Sequence, residues 1–146
     1  MRKKPINEMK LDFASRSVNE GFARSAAAAF ACQLDPTLDE LADIKTAVSE
    51  AVTNAIIHGY RNQSGTVTLG GKMYEDGLLT FTVTDRGCGM ENVHKAMEPL
   101  FTGAPNEERA GMGFVIMQSF MDKVTVSSKP GKGTRVTLQR RLRRRR

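Results

Sequence analysis

Thr37-Leu38-Asp39-Glu40 marks the start of a helix. Threonine at the N-cap and glutamate three residues later form a capping box, in which each side chain bonds the other residue's backbone N–H. Asp39 and Glu40 also suit the positive end of the helix dipole. Leu41, Ile44, Val48, Val52 and Ala55 then recur at helical spacing and predict a buried face. His58-Gly59 predicts the end, glycine being the usual terminator. A long helix with one apolar stripe needs a second layer to cover it, so a single-layer fold is excluded.

Glu50, Asn54 and His58 follow at i, i+4 and i+8, forming a polar stripe at the edge of that buried face. A carboxylate, an amide and an imidazole in line can hold a metal, a phosphate or a water. A solvated helix edge has the same pattern, and the stripe alone does not choose between them.

The rest of the chain supplies that layer. Residues 10–14 alternate polar and apolar, as a first strand does. Residues 17–34 read as a helix whose buried stripe is Phe22, Ala26, Phe30 and Leu34; it ends before Asp35-Pro36. Residues 66–74 and 79–84 flank Glu75-Asp76-Gly77 as a hairpin. A short helix is predicted near 91–97, a loop over 99–110 and an apolar helix over 114–121. Strands at 123–128 and 134–138 flank a Pro130-Gly131-Lys132-Gly133 turn. Strands grouped in pairs predict an α+β fold: a two-layer sandwich, with a mixed or mostly antiparallel sheet and helices packed on one face.

A length of 146 residues suits one domain, residues 1–139, followed by a basic tail, 140–146. Six of the last seven residues are arginine, so the tail accounts for the entire net charge of +6. The domain itself is neutral, and neither direct nucleic-acid binding nor a membrane partner is expected. Cys32 and Cys88 lack metal-ligand spacing and make no disulfide framework. No apolar run reaches membrane length and no secretory signal follows the basic N-terminus, so a cytoplasmic location is expected.

Several short motifs carry chemistry. Asp85-x-Gly87-x-Gly89 follows a strand. A carboxylate there can accept from an exocyclic amine such as adenine's, and the glycines let backbone approach a flat ligand; a plain turn has the same residues. Gly111-x-Gly113 opens a helix, where free N–H groups bind phosphate. Arg109 lies within reach of a terminal phosphate, or of water. Asn54 is a hard oxygen ligand suited to Mg²⁺, and Glu50 can orient or deprotonate a hydroxyl. Arg24 lies off the stripe of its helix as a solvated charge or a partner contact, and His94 reads as a surface residue. No P-loop and no dinucleotide fingerprint occurs.

In this order, the motifs resemble the ATP-binding superfamily shared by DNA gyrase, MutL and sensor histidine kinases, whose fold is of the Bergerat type. Within it, residues 49–60, Pro99-Leu100-Phe101-Thr102 and Glu108-Arg109-Ala110-Gly111-Met112-Gly113-Phe114 are similar to the sporulation anti-sigma-F serine kinases, and the likeness covers about residues 8–139. The resemblance implies an anti-sigma factor that binds a sporulation sigma factor and uses Mg-ATP to phosphorylate a serine on an anti-anti-sigma protein. It implies ATP/ADP and Mg²⁺ as ligands, and a homodimer. Glu50 and Arg109 are then catalytic, with Arg109 on the γ-phosphate and residues 99–110 as the ATP lid. Asn54 is the metal ligand. His58, Asp85, Gly87, Gly89, Thr102, Gly111, Met112, Gly113 and Thr134 join Asn54 around the nucleotide, and Arg24 faces the partner. Two features depart from the pattern. Gly103-Ala104-Pro105 lacks the lysine that related lids often carry before the proline, and the arginine tail matches nothing in it. A non-catalytic ATP-dependent sigma-binding module and the catalytic domain of a sensor histidine kinase are the alternative readings.

Overall fold

A computed structural model of the protein describes residues 4–61, 63–97 and 112–142. Five strands form one sheet: β1 (Asn7–Ala14), β2 (Thr66–Met73), β3 (Leu78–Asp85), β4 (Lys123–Lys129) and β5 (Gly133–Arg141). Their spatial order is β1-β2-β3-β5-β4, and all four ladders are antiparallel. Alternation in β2 and β3 turns Val67, Leu69, Leu79, Phe81 and Val83 to the core, fully buried, while the threonines between them are at most half-buried. The expected α+β sandwich is the fold that forms.

Helix α1 (Asn19–Ala31) and helix α2 (Leu38–Asn54) cover the apolar side. The Thr37–Glu40 capping box is present at the start of α2, with bonds of 3.0 Å and 2.8 Å. The apolar face of α2 is buried as expected at Ile44, Val48, Val52 and Ala55, joined by Ala47 and Ala51.

Two expectations are corrected. The buried stripe of α1 is Ala23, Ala27, Phe30 and Ala31, whereas Phe22 is 55% exposed. The small alanines let α1 approach α2 closely, and that rotates the bulkier Phe22 outward. The central helix ends at Gly59 as expected, its last turn, Ala55–Gly59, being a π turn and Gly59 having no positive φ. The second correction concerns the tail boundary. Arg140 and Arg141 are residues of β5, paired with Leu79 and Leu78, and Leu142 is buried. Arg140 donates to Asp43 of α2 at 3.0 Å, and Arg141 pairs with Asp76 at 2.6 Å. The fold therefore takes up the first three residues of the presumed tail.

Two further helices complete the layer, α3 (Val93–Ala96) and α4 (Gly113–Phe120). Helix α4 packs on α2, burying Phe114 and Met117.

Candidate functional site

Asp85 ends β3 and is buried, 5% exposed. Glycine backbone approaches it closely. A Cβ on Gly59 would lie 2.7 Å from the Asp85 Cγ and Oδ1, so Gly59 presents bare backbone to the carboxylate. A Cβ on Gly87 would come within 1.9 Å of the Gly59 carbonyl oxygen. The loop after Asp85 is thus pressed onto the π turn, and the Cys88 N–H donates to the Gly59 carbonyl at 2.8 Å. Gly89 and Gly133 hold φ near +71° and +84°, where L side chains are strained, and each packs against a backbone carbonyl.

The carboxylate accepts from the Gly87 N–H at 2.9 Å and from the Thr134 backbone N–H. Burial pushes the Asp85 carboxyl above the usual carboxylate range, and the bonds from Gly87 and Thr134 partly counter it. A buried acceptor held this way is ready for a donor arriving from the cleft.

Glu50 and Asn54 lie one turn apart at the C-terminal end of α2. Both converge on the first residue of α4. A Cβ on Gly113 would lie 3.1 Å and 3.3 Å from the Asn54 amide atoms and 3.5 Å from Glu50 Oε2. The fully buried backbone of Gly113 therefore places the start of α4 beside an amide and a carboxylate.

Asp85 and Asn54 line one cleft of about 510 Å³. Ala51, Ala55, Met90, Phe114 and Val136 supply apolar walls, and Arg61 and Lys95 supply positive charge. Such a cleft suits a flat ring that donates to Asp85 and carries an anionic group toward Asn54. Among the described residues no three His, Cys, Asp or Glu side chains gather as a metal cage. The Asn54 amide beside the Glu50 carboxylate offers hard oxygen donors of the kind Mg²⁺ takes.

The residues expected from the sequence divide into four groups. Asn54, His58, Asp85, Gly89 and Thr134 line the cleft together. Gly87, Met112, Gly113 and buried Glu50 are not among the lining residues: Gly87 packs on Gly59, Met112 caps α4, and Gly113 sits beside Asn54 and Glu50. Arg24 is elsewhere, on α1, paired with Glu20 at 3.6 Å. Thr102, Arg109, Gly111 and the loop 99–110 lie outside the described residues.

The profile of the histidine kinase-like ATPase domain matches residues 13–140. Curated relatives agree. An anti-sigma F factor of Clostridium acetobutylicum is 55% identical over 136 residues, 93% of this chain and 94% of that one. One from a Thermoanaerobacter species is 59% identical over 133 residues, covering 90% and 92%. The chain belongs to the anti-sigma F factors of the histidine kinase-like ATPase family. Structural likeness adds the fold: the RsbU–RsbW two-domain structure from Mycobacterium tuberculosis matches with a TM-score of 0.70 at 21% identity, over 96% of this chain and 33% of that one. A blue-light activated histidine kinase of Erythrobacter litoralis matches at 0.56 and 25%, over 86% and 41%.

Within this anti-sigma F member, several site residues escape sequence reasoning. Gly59 reads as a helix stop but is the wall against Asp85. Gly133 reads as a turn residue, yet a Cβ on it would come within 2.1 Å of the Asp85 carbonyl oxygen. Tyr60 accepts from the Arg86 N–H at 2.8 Å and donates to the Thr66 carbonyl at 2.6 Å, fixing the strand end. Ser128 bonds across the base of the loop and carries no motif signal at all. No helix among the described residues is long and apolar enough to cross a membrane.

Proposed function

We propose that this anti-sigma F member binds Mg-ATP in the cleft, transfers the γ-phosphoryl group to a serine of an anti-anti-sigma protein, and holds a sporulation sigma factor as a homodimer. The observation that carries the reading is that a buried carboxylate, Asp85, and the amide of Asn54 line one cleft, with the Glu50 carboxylate beside Asn54 at the start of α4.

Asp85 accepts the adenine amino group. Asn54 offers its amide oxygen to Mg²⁺, which when bound neutralises phosphate charge and orients the transferring group. Glu50 orients the acceptor serine hydroxyl and takes its proton. Arg109, with Thr102 and Gly111, belongs to the lid, and its contact with the γ-phosphate rests on the family resemblance. Arg24 serves the partner surface. Val18 and Phe22, 70% and 55% exposed on or beside the same helix, support that assignment.

Glu50→Gln tests the chemistry. The variant is expected to keep ATP affinity within a few-fold and to lose phosphate transfer from labelled ATP to the anti-anti-sigma protein by at least about a hundredfold. Normal transfer by this variant removes the catalytic role of Glu50.

A further inference from the structure

Arg140 stands at the end of the sheet away from the cleft. The β3–β5 ladder pairs it with Leu79, while Thr134 pairs with Asp85. Six residues of strand separate Arg140 from Thr134, about 20 Å. Its Nη1 donates to Asp43 Oδ2 of α2 at 3.0 Å and to the Phe120 carbonyl. Phe120 is the last residue of α4, so its carbonyl has no partner within its own helix, and the guanidinium meets the negative end of the helix dipole. The neighbours of Arg140 hold the same place. Asp122, just beyond α4, donates its N–H to the Gln139 carbonyl at 2.8 Å and accepts from the Arg141 N–H at 2.7 Å. β5 thus anchors the C-terminal end of α4, and Arg140 extends that anchor to α2.

The spacing carries the anchor to the other end of the helix. Asp43, Glu50 and Asn54 follow at i, i+7 and i+11, within about 20° of one line along α2. Gly113 and Phe120 are also seven residues apart, about 10 Å of helix. Gly113 lies beside Glu50 and Asn54, and Phe120 is tied to Asp43, so the two helices run antiparallel and meet at both ends of equal spans. Met112, at the N-cap, makes no side-chain cap bond. Between the ends α4 buries Phe114 and Met117, and apolar burial has no direction. The fork from Arg140 has one, and it fixes how far along α2 the helix sits.

We infer that Arg140 is a positioning residue for phosphoryl transfer: by tying the C-terminal end of α4 to Asp43, it sets where Gly113 stands against Glu50 and Asn54, and so governs the phosphate end of the cleft without touching nucleotide. The inference rests on the Mg-ATP reading above.

The test is the ratio of affinities for Mg-ATP and adenosine, measured by calorimetric titration on the same protein. Adenosine reports the Asp85 end alone, so a general loss of packing lowers both affinities and cancels in the ratio. Wild type is expected to prefer Mg-ATP. Arg140→Met keeps the length of the side chain and loses its donors. The ratio is expected to narrow about tenfold, the scale of one charge-assisted hydrogen bond, with adenosine affinity within about twofold of wild type. The kcat for transfer from Mg-ATP to the anti-anti-sigma protein falls with it. Arg140→Lys keeps a charged donor and restores most of both. On Asp43→Ala, which already cuts the tie to α2, Arg140→Met adds little. A wild type that prefers Mg-ATP, with an unchanged ratio in Arg140→Met whether both affinities fall or neither does, overturns this inference alone. A wild type that binds Mg-ATP no more tightly than adenosine overturns the nucleotide reading and this inference with it.

Discussion

Gly59→Ala places one methyl group against the floor of the site. The new Cβ lies 2.7 Å from Asp85 Cγ and Oδ1 and 2.8 Å from Oδ2, whereas ordinary contacts begin at 3.4 Å. The carboxylate must retreat by about 0.7 Å, more than its 2.9 Å bond from the Gly87 N–H tolerates without breaking. A hydrogen bond to a charged group contributes about 1.5–3 kcal/mol, so a base donor that needs the same carboxylate loses about tenfold to a hundredfold in affinity. The backbone is not the obstacle, since Gly59 has no positive φ. Alanine instead favours the helical turn by up to about 1 kcal/mol. The two effects separate in a double-mutant cycle. Alone, Gly59→Ala is neutral or destabilising in urea denaturation. Placed on Asp85→Ala, which removes the carboxylate, it stabilises by about 0.5–1 kcal/mol. Calorimetry with Mg-ATP reads the binding half. Wild-type affinity in Gly59→Ala, or the same denaturation shift with and without Asp85, refutes the argument.

Asp85→Asn is expected to raise the melting temperature of the nucleotide-free protein at pH 7 and to lower ATP affinity at least tenfold. The sign follows from burial. The folded carboxyl titrates above its unfolded value, so its ionised form opposes folding above the folded pKa. That opposition fades as pH falls through the folded pKa toward the unfolded one, and Asp85→Asn should gain least at acid pH; a larger gain there contradicts it. Thr37→Ala removes the capping box and should cost about 1 kcal/mol in denaturation, with nucleotide affinity unchanged. Leu142→Ala should cost about 2 kcal/mol or more, as a core truncation does, whereas a tail residue would cost nothing.

Much of the sheet was legible because alternation and turn residues are local signals. The β2–β3 hairpin, the capping box and the carboxylate at the strand end all appear within a few residues of chain. What was missed depends on residues far apart in sequence. The register of α1 is set by its close approach to α2, and the large side chain at Phe22 gave a false stripe. Gly59 and Gly133 look like punctuation until the Asp85 carboxylate and carbonyl come against them. Arg140 and Arg141 sit in a run of like charge that reads as solvated, but Asp43 and Asp76 accept them from distant elements. Ser128 has no pattern of its own, since its partners meet only when the sheet closes.

Strand order has a consequence for synthesis. Among the described strands β5 comes last in the chain, yet it is inserted between β3 and β4 rather than added at an edge. Until it arrives, β3 has only β2 beside it, and Asp85 lacks the amide of Thr134. The Ser128–Thr134 bond and the Gly133 contact with Asp85 are missing from a nascent chain that already carries α2 and Asn54. At about 5–20 residues per second, that interval lasts seconds for the final third of the chain. A chain truncated before β5 is therefore expected to gain little protection from nucleotide.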